Sequence, residues 1–205
     1  MKVYWAPNTI SVAVAIALEE AKLPYDPIRV DFANAEQTKP AYLSLNPKGR
    51  VPALVLEDGD ILTETGAVLD YIAAVVPQAK LAPEDPKAAA HMRAVMYYLA
   101  STMHVAHAHK MRGARWADKP ESLDDMTAKV PQTMAACATY VEAHCLLGDY
   151  VIGNMISIAD PYLYTVCAWL EGDDVSLTPF PKIAAYLKRM DARASVQAVR
   201  ARGLI

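Results

Sequence analysis

The spacing of apolar positions divides the chain into two regimes. Up to Val75 they come in short runs and alternations; beyond Pro86 they recur only at helical spacing. "KVYW", residues 2–5, reads as a short strand that Pro7 and Asn8 break. From Ser11 to Leu23, "SVAVAIALEEAKL" has first turns that are apolar on every side, which predicts a buried helix. In "YDPIRVDF" Ile28, Val30 and Phe32 alternate with Arg29 and Asp31, a second strand. "PAYLSLN" is a short helical or irregular link. "VPALVLE" and "DILTE" are then two strands joined by a tight turn at Glu57–Asp60. Val68, Leu69, Ile72 and Val75 mark one face of a helix from about Thr65 to Val75. A strand, a crossover helix and a second strand imply a parallel pair, and the hairpin adds antiparallel strands. The expected fold is a βαβ-ββα α/β domain with a mixed four-stranded sheet.

"VPQAKLAPEDP", Val76–Pro86, is rich in proline and polar residues and reads as a linker. Beyond it Met92, Val95, Met96, Leu99 and Met103 mark a long helix. Met126, Val130, Met134, Cys137, Val141 and Cys145 mark another, with Pro131 as a kink or a late start. Leu163, Val166, Cys167 and Leu170 mark a third, and Ile183, Leu187 and Met190 a fourth. The expected domains are 1–77, a linker over 78–86, and an all-helical 87–205. "SIAD", Ser157–Asp160, fits the start of the third of these helices, with Asp160 reaching back as the acid of a capping box does. Pro161 at the fourth helical position would forfeit a backbone bond there.

Composition narrows the function classes. The 205 residues are 54% hydrophobic, enough for a sizeable core, and the net charge is -3 with no basic run. That argues against a nucleic-acid partner and against a membrane-surface patch. Ile10–Leu18 is too short to span a bilayer, and "MKVYWAPNTI" does not read as a signal peptide. Cys137, Cys145 and Cys167 form no C-x-x-C pair and their number is odd, so they are expected to be reduced core residues of a cytoplasmic protein. His104 and His107 share a helix face but have no evident third ligand, so no metal is expected.

"NPKGRVPAL" with "DGDILTETGAVLDYIA", then "YYLASTMH", "SIADPYLYT" and "KIAAYLKRM", give the chain a close likeness over nearly its whole length. It resembles the cytosolic glutathione transferases and looks most like their bacterial beta class. The resemblance implies a thioredoxin-like first domain in which Pro52 is cis and the N–H and C=O of Val51 pair with glutathione as an added strand. An ordinary edge-strand proline is the alternative from the local residues. It implies a helix start at Glu64 and Thr65 that holds the γ-glutamyl carboxylate, with Thr65 adding a hydroxyl and Glu64 taking the ammonium. Asn8 and Arg50 complete the expected glutathione-binding set. A homodimer is implied as well, in which Tyr97 reaches toward a neighbour's site.

The chemistry needs a thiolate, and a thiol of pKa ~8.5 is mostly protonated at neutral pH. Lowering it by ~2 units takes ~2.7 kcal/mol, and one hydrogen bond to a charged acceptor supplies roughly 1.5–3 kcal/mol. The beta class has a cysteine where this chain has Ile10, which argues against a mixed disulfide with the protein. Other classes use a tyrosine, but here Trp5 leads into Ala6 and Pro7. Classes with a serine hydroxyl two residues after the proline align it with Thr9, so the resemblance implies a donor from "APNTIS": Thr9 first, Ser11 second unless it caps the helix, Asn8 third. His104 aligns with a beta-class histidine that faces the thiol from the helical domain, and the basic residue after it is Val105 here. Met111, Trp116 and Tyr164 either line an apolar co-substrate site or are plain core. The expected function is conjugation of glutathione, as co-substrate, to a small apolar electrophile. Disulfide or peroxide reduction by glutathione, and a non-catalytic carrier of glutathione or apolar ligands, stand as alternatives.

Overall fold

The computed structural model describes Met1–Ile205. Strand β1 (Lys2–Trp5) lies inside a four-stranded sheet of order β2-β1-β3-β4. Strand β2 (Asp26–Arg29) runs parallel to it, with Val3 opposite Pro27. Strand β3 (Ala53–Val55) runs antiparallel on the other side, with Val3 opposite Leu54, and β4 (Ile61–Thr63) pairs antiparallel with β3. This is the mixed sheet that the strand–helix–strand and hairpin patterns require. The chain forms two compact units, Met1–Asp85 with Met190–Ile205, and Pro86–Arg189.

In the first unit, helix α1 (Ser11–Glu20) buries every residue from Ser11 to Leu18, which explains the absence of a polar side in its sequence. It stops before the expected Leu23. Lys22 turns left-handed at φ 54, and the N–H groups of Lys22 and Leu23 return to the carbonyls of Glu19 and Leu18. That is a Schellman ending, made here without the glycine that usually announces it. The link after β2 holds a 3-10 turn at Glu36–Thr38 and one α-helical turn, α2 (Pro40–Leu43). Helix α3 (Thr65–Val75) has the expected bounds; Val68, Leu69 and Ile72 are buried, whereas Val75, counted in the same stripe, is exposed.

In the second unit, helix α4 (Pro86–Tyr98), a π turn at Leu99–Met103 and helix α5 (His104–Arg112) follow without a break. Helix α6 (Pro120–Tyr140) begins well before the expected start, and Pro131 sits inside it. Its start signal is Pro120 at the first helical position, where a missing N–H is harmless. Helix α7 (Ala159–Cys167) starts within the "SIAD" motif, but Ile158 and not Ser157 precedes it and supplies no side-chain cap; α8 (Pro181–Asp191) matches the predicted fourth pattern. Pro161 falls within the first four residues of α7, whose N–H groups have no intrahelical acceptor, so it forfeits nothing. Asp160 is wholly buried and accepts from the N–H of Ser157 (2.7 Å), the hydroxyl of Ser157 (2.9 Å) and the N–H of Val151 (2.9 Å). Burial pushes its carboxyl up to about 6, against those donors, which pull it down.

A last helix, α9 (Ala194–Ala201), was not evident in the apolar pattern. It belongs to the first unit and packs on α1. The Glu20 carboxylate at the end of α1 accepts from Arg193 Nε (2.6 Å) and Nη2 (2.8 Å) and from the Ser195 hydroxyl. No helix is long and apolar enough to cross a membrane.

Candidate functional site

The first unit brings three chain turns to the residues singled out in the sequence. Between β1 and α1, Asn8 takes a left-handed φ of 56, a conformation asparagine tolerates better than most residues, and it is exposed. Thr9 is half-buried. Its hydroxyl donates to the Ala6 carbonyl (2.8 Å) and lies 2.7 Å from the Ser11 hydroxyl. Ser11 is fully buried and accepts from the Ala6 N–H (3.2 Å). It does not cap α1: the residue ahead of the helix is Ile10, which makes no side-chain cap and is itself buried. A buried aliphatic side chain therefore occupies the last position before α1.

Before β3, the Val51–Pro52 peptide is cis. The ladder of β3 starts only at Ala53, so the N–H and C=O of Val51 lie outside the pairing with β1 and β4. The Val51 side chain is anchored in a small cluster with Ala6, Val30 and Tyr42. The Arg50 carbonyl accepts from the Tyr42 hydroxyl and the buried Asn46 amide, both at 2.7 Å, which fixes the loop while the Arg50 side chain stays exposed. Burial raises the Tyr42 phenol to about 12, so it remains a donor. Gly49 has φ 61, and a Cβ there would meet the Gln37 carbonyl at 3.1 Å, so a larger residue would be strained in its backbone and crowded against that carbonyl.

Where β4 passes into α3, Glu64 is the residue ahead of the helix, at φ 71, with no side-chain cap. Thr65 is the first helical residue and is buried. The first N–H groups of α3 have no intrahelical acceptor, and no acidic side chain stands in its first turn. The result is a positively polarised tip. Lys48 Nζ bridges the Glu64 carboxylate (2.6 Å) and the Thr63 hydroxyl (2.7 Å). Both charged groups are well exposed, so the pair is weak and easily exchanged. Lys48 and Asn46 were not singled out in the sequence, although the stretch "NPKGRVPAL" that contains them carries the resemblance.

The second unit places His104 and His107 on one helix face, as their spacing implies. Both rings meet Trp169, His104 at 5.1 Å and His107 stacked at 4.2 Å. His107 Nδ1 lies 2.6 Å from the carboxylate of buried Asp173, which Lys110 also contacts. Tyr164 is core, whereas Met111 and Trp116 are exposed. Cys137, Cys145 and Cys167 are all buried as free thiols, and burial pushes Cys145 up to about 11 and Cys167 higher still. Cys145 and Cys167 are thus held as neutral thiols, not as nucleophiles.

The model of the glutathione S-transferase N-terminal domain matches residues 1–74, and that of the C-terminal domain matches residues 108–202. The chain is 65% identical to a glutathione transferase homologue from Sulfitobacter whose crystal structure holds bound glutathione. That likeness has a TM-score of 0.98 and covers 100% of this chain and 98% of the other. A beta-class glutathione S-transferase from Sphingomonas chungbukensis is 30% identical, with a TM-score of 0.85 and full coverage of both chains. A maleylacetoacetate isomerase from Pseudomonas aeruginosa is 32% identical over 89% of this chain and 87% of its own.

Proposed function

For a chain that belongs to the glutathione S-transferase family, we propose that the first unit binds glutathione, holds its sulfur as a thiolate through the Thr9 hydroxyl, and conjugates it to a small apolar electrophile. The observation that carries this reading is the turn before α1. A half-buried hydroxyl stands beside a helix start at which Ile10 supplies no thiol. A mixed disulfide with this turn has no sulfur to form it. Conjugation needs only glutathione's own sulfur, ionised.

The remaining contacts follow from the peptide's chemistry. Its cysteinyl backbone pairs with the N–H and C=O of Val51 as a short added strand. Its γ-glutamyl carboxylate sits on the N–H groups of α3 and the Thr65 hydroxyl. The adjacent ammonium takes Glu64, displacing Lys48 from a weak pair and freeing it for the tripeptide's other carboxylate. Asn8 and Arg50 flank the bound peptide. His104 is assigned the steering of the electrophile. A homodimer is part of the proposal.

The isomerase relative supports a second reading, in which the protein isomerises its substrate with no net use of glutathione. The two readings differ in stoichiometry: conjugation consumes glutathione, isomerisation does not. Turnover with an activated aryl halide, followed by loss of free thiol, tests the first. The expected result is one thiol lost per product, with Thr9→Ala slowing turnover far more than it weakens glutathione binding. Undiminished turnover in a Thr9→Ala, Ser11→Ala double variant would overturn the hydroxyl assignment.

A further inference from the structure

Ser11 is fully buried, so its hydroxyl proton must be used within the protein. Two acceptors are in reach, the Ala6 carbonyl at 3.3 Å and Thr9 Oγ1 at 2.7 Å. An O–H···O bond prefers roughly 2.7–2.8 Å, so the Thr9 oxygen is the better acceptor. Thr9 in turn donates its own proton to the Ala6 carbonyl at 2.8 Å. The direction of the short bond is thereby set: Ser11 donates and Thr9 accepts. The Ser11 oxygen meanwhile accepts from the Ala6 N–H at 3.2 Å.

We propose that Ser11 is a positioning residue that acts on the sulfur only through Thr9, in a hydrogen-bond chain from the Ala6 N–H to the Ser11 hydroxyl, to the Thr9 hydroxyl and on to the thiolate. This rests on the reading of Thr9 as thiolate donor. When the thiolate arrives, Thr9 turns its single proton from the Ala6 carbonyl to the sulfur, exchanging a neutral bond for a charge-assisted one. Only the hydroxyl rotor moves; the Thr9 oxygen already holds its place by accepting from Ser11. Each bond in such a chain polarises the next, so the Thr9 proton is a better donor with Ser11 behind it than without. Ser11 itself never meets the sulfur.

The test is a titration of the bound glutathione thiol, read by its ultraviolet thiolate absorbance, in the wild type, Thr9→Ala, Ser11→Ala and the double variant. Ser11→Ala should raise the thiol pKa by about half a unit, about a 1.5-fold loss of thiolate at neutral pH, with the KM for glutathione changed by no more than about twofold. The double variant should titrate like Thr9→Ala alone. Ser11→Thr, which keeps the hydroxyl, should restore the wild-type titration. Should Ser11→Ala fail to fold, Ser11→Cys, close in volume but a poor donor, should show the same rise. A further rise on adding Ser11→Ala to Thr9→Ala would overturn the chain, since Ser11 would then have its own route to the sulfur. An unchanged pKa in Ser11→Ala, or in Ser11→Cys in its place, would overturn it as well. An unchanged pKa in Thr9→Ala is a different failure: it removes Thr9 as donor, and the chain with it.

Discussion

Two pairs of polar side chains stand at helix starts in this protein, and they are built differently. Ser157 and Asp160, ahead of and within α7, form a closed set. One carboxylate takes three donors from the chain, and nothing is left to offer outward. Thr9 and Ser11, ahead of α1 and at its first position, form an open one. The two hydroxyls share a carbonyl and an N–H of a single residue, Ala6, and Thr9 keeps part of its surface accessible. A closed pair fixes the chain and has no capacity left for a ligand. An open pair gives up one neutral hydrogen bond for a charged one at little cost, which is what stabilising an anion requires.

The contrast is sharpened by changing each pair in turn. Asp160→Ala should destabilise the protein by about 3 kcal/mol, because three buried donors lose their acceptor while the burial of a charge is relieved. Thermal unfolding checks the loss, and the glutathione affinity of the folded protein should not change. Thr9→Ala should do the reverse. Turnover with an aryl halide should fall by about 10- to 100-fold, the equivalent of one hydrogen bond to a charge, while the melting temperature stays nearly constant. Asp160→Asn carries the pH signature of the closed pair. The Asp160 carboxyl in the folded chain sits at about 6 against an ordinary 3.8, so the folded state takes up its proton first as pH falls. Its contribution is fully present below about pH 4 and is lost as pH rises through about 6, about 3 kcal/mol at most. Denaturant midpoints across that window should show a slope that Asp160→Asn flattens.

Smaller effects are expected at α3. Glu64→Gln removes the proposed ammonium partner from an exposed position and should weaken glutathione binding about fivefold by calorimetry. Lys48→Met should change stability by about 0.5 kcal/mol or less, since the Lys48–Glu64 pair is exposed on both sides. A large stability loss in Lys48→Met would show the exchange proposed there to be too costly.

Much of the fold was legible because it is written in local pattern. The stripe of Val68, Leu69 and Ile72 gave α3 its bounds, and the alternation around "YDPIRVDF" with the hairpin after it gave the mixed sheet. The errors lie where one backbone conformation decides. Lys22 ends α1 in a left-handed turn that lysine seldom announces, and Pro131 rides inside α6 where proline usually marks a boundary. At the candidate site, the hydroxyls of Thr9 and Ser11 were visible as residue types, but their division of labour depends on burial and on the shared Ala6 peptide. Lys48 and the His107–Asp173 pair were out of reach for a related reason. Their partners lie 16 and 66 residues away, so only the folded chain brings them together.

The most direct test of the central claim is the difference absorbance of glutathione bound at neutral pH to the wild type and to Thr9→Ala, each at saturation. A thiolate band in the wild type that is largely lost in Thr9→Ala, with the peptide still bound, is the predicted result. A band of equal height in both proteins, or none in the wild type, would contradict it.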